Sequence, residues 1–246
     1  MILSVLRGLL ISMSIAENVA EIRERIAAAA HRAGRNPGEI TLMAVSKTFA
    51  PERIREAYAA GLRVFGENRV QEFAGKAGRL AELRDAEWHM IGHLQTNKAG
   101  RAVELFATVD SLDSPRLAEK LNDSARQVGR NLGALIEINV GGEAAKSGID
   151  PESPDLEALL HTAASLEHVQ IRGLMTVPPF FDDPQRARPY FRELRQLRDR
   201  ILVRNLPGVS GEVLSMGMSH DFEIAIEEGS TCVRVGTAIF GERKNL

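Results

Sequence analysis

Short apolar segments alternate with amphipathic ones eight times along this chain, and that alternation limits its possible folds more than any other feature. Runs rich in strand formers predict strands over 40–46, 62–66, 87–91, 107–110, 134–140, 169–177, 212–216 and 232–240. Helical spacing predicts helices over 51–60, 70–83, 96–106, 184–204 and 219–228, with two more opened by Ser114-Pro115 and Ser153-Pro154, each a cap followed by proline at the first helical position. Strands separated by helices need crossover connections and so make a parallel sheet. Eight such units in 246 residues fit one α/β domain, a (β/α)8 TIM-type barrel. A doubly wound open sheet is the alternative, but no Gly-x-Gly-x-x-Gly follows the first strand. An extra N-terminal helix over 15–33, with Val19, Ile22, Ile26 and Ala29 on one face, covers the gap left by a tail too short for an eighth helix.

Composition narrows the function classes. The 31 Lys+Arg and 33 Asp+Glu give a net charge of -2, so no basic face calls for nucleic acid. The single cysteine, Cys232, excludes an intramolecular disulfide and a Cys-based zinc site, and points to the cytoplasm. Residues 1–12 (MILSVLRGLLIS) are too short an apolar run to span a bilayer and make a poor signal peptide. They read as an appended extension to a domain over 13–246, with a membrane-surface anchor as the other possibility.

In a barrel of this kind chemistry gathers where strands end and βα loops begin. Lys47, one of only six lysines, closes an apolar strand. Alternation puts it on the face of Met43 and Val45, at the barrel mouth if that face points inward. Partial desolvation there would free its neutral amine for Schiff-base chemistry; the plainer reading is a solvated strand-end lysine. The loops after strands seven and eight, Ser215-Met216-Gly217-Met218-Ser219 and Val235-Gly236-Thr237-Ala238, occupy the places where such barrels most often hold phosphate. Ser219 can cap the following helix, Gly236 permits close backbone approach and Thr237 offers a hydroxyl; an ordinary cap and turn would look similar. Arg234 shares the interior face with Gly236 and needs a partner, either a carboxylate such as Glu137 or Asp110, or the ring of a phosphorylated cofactor. An amine, a phosphate cup and an interior arginine together suggest pyridoxal 5'-phosphate. A cationic Arg234 would leave the pyridine nitrogen unprotonated and disfavour transaminase-like chemistry.

The remaining candidates are weaker. His89 and His93 lie four apart, but on a strand running into Gly92 rather than on one helix face, so no metal site is expected. His161 and His168 read as helix-surface residues, and the arginines of 186–204 as a solvated face. No Ser/His/Asp set has a nucleophile elbow.

Several stretches carry a resemblance: LMAVSKT at 42–48, FGENRVQE at 65–72, WHMIGHLQTNK at 88–98, Lys146-Ser147-Gly148, RGLMT at 172–176, SMGMSHD at 215–221 and RVGTAIFG at 234–241. The sequence resembles the pyridoxal-phosphate homeostasis protein family, the single-domain relatives of the alanine racemase barrel. That resemblance implies pyridoxal 5'-phosphate bound to Lys47. Asn68 would line the ring, Arg234 would face the pyridine nitrogen, Ser219, Gly236 and Thr237 would hold the phosphate, and Met218 would be a further cofactor-binding residue. It implies a cofactor-homeostasis role with no established catalytic reaction, cofactor-dependent apo-enzymes as recipients, and a monomer. Two positions depart from the family pattern. Phe49 stands where a second lysine is frequent, which puts hand-off through that lysine in doubt, and His93 stands where proline is frequent.

Two other functions compete. A racemase needs a second base opposite the lysine, and the related racemases take it from an additional β domain that this 246-residue sequence does not include. An aldolase would use Lys47 directly on a sugar phosphate and would need no cofactor.

Overall fold

Among the residues described by the computed structural model, 14–143 and 147–242, eight parallel strands close into a barrel in sequence order. They are β1 (Thr41–Val45), β2 (Val64–Glu67), β3 (Glu87–Met90), β4 (Thr108–Leu112), β5 (Leu132–Glu137), β6 (Val169–Met175), β7 (Val209–Met218) and β8 (Cys232–Val235). The helices are α1 (Ile15–Arg32), α2 (Pro51–Ala59), α3 (Val70–Ala77), α4 (Ala99–Leu105), α5 (Pro115–Gln127), α6 (Pro154–Ala163), α7 (Arg188–Val203), α8 (Phe222–Glu227) and α9 (Thr237–Phe240). The (β/α)8 expectation holds. The 1–12 extension and Lys146 lie outside the described residues. No described helix is long and apolar enough to cross a membrane.

Local chemistry sets the helix starts. Ser14 and Glu17 form a reciprocal capping box at α1. Ser114 Oγ accepts from Leu117 N (3.3 Å) before Pro115. Ser153 precedes Pro154 in the same way, but its hydroxyl makes no cap and is buried without a partner. Helix α1 buries Ile15, Val19, Ile22 and Ile26, packs on α8 and α9, and donates from Asn18 Nδ2 to the Ile239 carbonyl (2.9 Å), closing the barrel wall as expected.

The structure corrects several boundaries. The segment 232–240 is not one strand: it ends at Val235, and the N–H groups of Ile239 and Phe240 turn back to the Gly236 carbonyl (both 2.9 Å) to form α9. The segment 219–228 is helical only from Phe222, because Asp221 Oδ1 takes the Met218 N–H (2.6 Å) and holds 218–221 as a turn. Strand β7 is longer than its apolar run, and β5 starts earlier, at Leu132, and stops at Glu137. His168 lies in the turn before β6 and is half-buried, not on a helix. The arginines of α7 are not merely solvated. Arg188 and Arg192 each meet the buried Glu228 carboxylate at 3.0 Å, with Arg195 at 3.6 Å, tying α7 to the end of α8.

In-register neighbours share a face. Ala44 pairs with Phe65 and Phe65 with Trp88, and these face the helices, where Phe73 packs on Trp88 (4.6 Å) and Phe106 on Phe73 (5.2 Å). Met43 pairs with Arg234, Glu137 with Met175, and Ser215 with Cys232, and these face the barrel axis. The interior is therefore unusually polar for such a barrel, which branched aliphatic side chains normally fill.

Candidate functional site

Ser46 and Lys47 follow β1 at its carboxyl end, and alternation from Met43 and Val45 carries Lys47 toward the mouth. Lys47 is half-buried. On one side, Val45 pairs with Gly66 of β2, so Asn68 stands level with Lys47. On the other, Ala44 pairs with Val235 of β8, and a Cβ on Gly236 would sit 3.4 Å from Val45 Cβ. Met218 at the end of β7 pairs with Arg234. Asn68, Lys47, Gly236 with Thr237, Arg234, and Met218 with Ser219 thus form a continuous arc across four adjacent strands, β2, β1, β8 and β7.

One expectation for these two loops fails, the cap at Ser219. Ser219 does not cap α8, whose first flanking residue is Asp221. Its hydroxyl reaches across to accept from Ala238 N (3.5 Å), tying the loop after β7 to the first turn of α9. Thr237 is exposed and opens α9, where first-turn N–H groups have no intrahelical acceptor. Gly217 (φ 93°) must be glycine, because a Cβ there would lie 2.5 Å from Ala225 Cβ and 2.9 Å from Phe222 Cα. Burial pushes the Asp221 carboxyl above its usual range, against the Met218 N–H it accepts and the charge of Arg234.

Arg234 is 4% exposed and donates to Ser215 Oγ and to the Thr176 carbonyl, both at 2.7 Å. Burial pulls its guanidinium below the usual range; Asp110 and Glu137, the partners expected from sequence, favour its charge only through space while neutral oxygens take the hydrogen bonds. Glu137 is 8% exposed, and its Oε2 is buried without a hydrogen-bond partner. Burial and the nearby Asp113 raise its carboxyl to about 7, against the pull of Arg234 and His93. Deeper in the barrel, His89 Nδ1 meets Asp110 Oδ1 at 3.0 Å. Burial disfavours the imidazolium, but Asp110 and Glu87 override it and raise His89 to about 9. Burial pushes the Cys232 thiol up to about 12, so it is inert as a nucleophile. His93 is exposed and pairs with Asp113 (3.0 Å), apart from His89. No cluster of three or more His, Cys, Asp or Glu fit for a metal exists among the described residues.

Sequence reasoning missed the supports of the Lys47 segment. Lys76 Nζ, 7% exposed as a residue, lies 2.8 Å from Glu67 Oε1 and donates to the Ser46 carbonyl (3.1 Å). Ser46 Oγ donates to the same Glu67 oxygen (2.5 Å), and Thr48 N donates to Glu72 Oε1 (2.5 Å). Val70, Phe73 and Lys76 share the buried stripe of α3, and a lysine on an apolar stripe was the available signal. Phe49, the departure from the family pattern, stacks on Phe240 of α9 with centroids 4.5 Å apart.

Known proteins share the sequence and the fold of this chain. The family model for the alanine racemase N-terminal domain matches residues 16–244. The pyridoxal phosphate homeostasis protein of Aquifex aeolicus is 47% identical over 232 residues, covering 94% of this chain and 100% of its own. That of Pseudomonas aeruginosa is 44% identical over 230 residues, covering 94% and 96%. The structure of PipY from Synechococcus elongatus with pyridoxal phosphate bound superposes with a TM-score of 0.81 at 39% identity, covering 93% of this chain and 100% of its own. An alanine racemase of Clostridium difficile shares the fold at 15% identity and a TM-score of 0.70, over 58% of its length. The chain belongs to the pyridoxal phosphate homeostasis protein family and carries the alanine racemase N-terminal domain.

Proposed function

We propose that this protein binds pyridoxal 5'-phosphate through a Schiff base to Lys47 and serves intracellular cofactor homeostasis, storing the cofactor and releasing it to apo-enzymes. The observation that carries this reading is the arc itself. A primary amine follows β1, hydroxyls and first-turn amides follow β7 and β8, and the buried guanidinium of Arg234 lies on β8 beside them. This donor set suits a planar aldehyde with a phosphate at its far end, and PipY, 39% identical, holds that molecule. When bound, the cofactor supplies an aldehyde that condenses with an amine, with loss of water.

The chain's own residues divide the work. Lys47 supplies the amine. Thr237, Ser219 and the backbone of Gly236 hold the phosphate. Met218 and Asn68 flank the ring. Arg234 carries only donors, so it hydrogen-bonds an unprotonated ring nitrogen and supplies no acceptor for a protonated one. That weakens electron withdrawal by the ring and favours holding over turnover. The relatives bear the name of a homeostasis protein rather than of an enzyme.

Two assays on the loaded, purified protein test storage and release. Incubation with an apo-enzyme that requires the cofactor should restore its activity while this protein loses the cofactor. Incubation with L-alanine should leave its configuration unchanged; racemisation at an ordinary enzymatic rate would overturn the homeostasis reading.

A further inference from the structure

The Lys47 segment is held from its outer side by a charge cluster on β2 and α3. Ser46, Thr48 and Phe49 are each tied to it: Ser46 by its hydroxyl and carbonyl, Thr48 by its N–H, and Phe49 by a carbonyl 3.5 Å from Lys76 Nζ. All the ties converge on Lys76, Glu67 and Glu72, and Lys76 bridges the two carboxylates at 2.8 and 3.5 Å. Thr48 stands at φ 68°, a left-handed conformation costly for a β-branched residue, so the surroundings must impose it. Glu67 is fully buried, with Oε2 unpartnered, an expensive arrangement to retain for packing alone.

We propose that Lys76, with Glu67 and Glu72, is a positioning unit that holds the backbone on both sides of Lys47 so that its amine is presented to the aldehyde. The inference rests on Lys47 being the point of attachment. Their hydrogen bonds run to Ser46, Thr48 and Phe49 rather than to the loops after β7 and β8, so their loss should slow covalent attachment without weakening phosphate-anchored binding.

The test uses the full-length protein, its Lys76→Met/Glu67→Gln double variant, and Glu72→Ala. The double variant removes both buried charges together, and Glu72 is partly exposed, so at least one variant is expected to fold. Two quantities are read: the rate at which borohydride-trapped label appears on Lys47 after pyridoxal 5'-phosphate is added, and the affinity for pyridoxine 5'-phosphate, which has no aldehyde. Trapping is expected to slow about tenfold or more, as for a misplaced reacting group, with analogue affinity held within about twofold. Unchanged trapping on a wild-type protein that labels at Lys47 overturns the positioning role alone. An equal loss of trapping and analogue affinity overturns it in favour of general structural support. A wild-type protein unlabelled at Lys47 overturns the attachment reading and this inference with it. If the double variant does not fold, Glu72→Ala decides between these outcomes.

Discussion

Glu137 and Arg234 show how one residue's surroundings decide its chemistry. Both face the barrel axis, yet Arg234 is satisfied by neutral oxygens, whereas Glu137 leaves one oxygen unpaired. A carboxyl raised from 4.5 to about 7 binds more protons folded than unfolded across that range. Its contribution to stability is therefore full below pH 4.5 and is lost as pH rises through 7, amounting to up to about 3 kcal/mol. In cofactor-free protein, Glu137→Gln should remove that part of the decline, read as urea midpoints across the range; parallel pH profiles for the two proteins would contradict the assignment. His89 works in a higher window. Its pKa, raised to about 9, gives stability that is complete below about 6.5 and lost on passing 9, which His89→Asn should abolish in the same titration. Thr237→Ala should weaken affinity for the phosphate-bearing cofactor by about 1 kcal/mol or more, and an unchanged dissociation constant on titration would remove Thr237 from the cup. Lys47 and Arg234 were legible in sequence because each breaks the pattern of its own strand. Glu137 was visible only as a possible partner, and Lys76 only as a lysine on an apolar stripe. Their roles depend on what meets them from other strands and helices, which a period along one element does not reveal.

At the scale of elements, the two shortest helices do most to shape the mouth. Helices α8 and α9 follow the last two strands, and the contact from Ala238 N to Ser219 Oγ links their approaches. Gly217 lets the first of these loops lie against α8. Gly217→Ala should cost roughly 1–3 kcal/mol in thermal or urea unfolding, because a left-handed φ and overpacking are both unfavourable, and should weaken phosphate-anchored binding as the loop shifts. A variant with wild-type stability and affinity would show that this loop does not shape the cup. Helix α9 reads in sequence as the end of a strand because Ala238-Ile239-Phe240 is apolar and only Gly236-Thr237 separates it from β8. Periodicity cannot separate a short apolar helix from a buried strand. The eight strands and the long helices were readable because each buries a regular stripe. Their ends were less so, since side-chain bonds such as that of Asp221 to Met218 N fix them.

The whole molecule unites these scales through register. A closed parallel barrel puts the first strand beside the last, so β1, which Lys47 follows, lies against Arg234 and Gly236 from the other end of the sequence. That closure was inferable from eight strand-helix units, and it explains why motifs at opposite ends of the sequence belong to one site. The central claim, a pyridoxal phosphate carrier anchored at Lys47, is tested most directly by the visible absorption spectrum of the purified protein supplied with pyridoxal 5'-phosphate, before and after borohydride, with peptide mapping of the reduced adduct. A Schiff-base band that disappears on reduction, leaving the label on Lys47 and none in Lys47→Ala, is the predicted result. No band, or a label on another lysine, would contradict it.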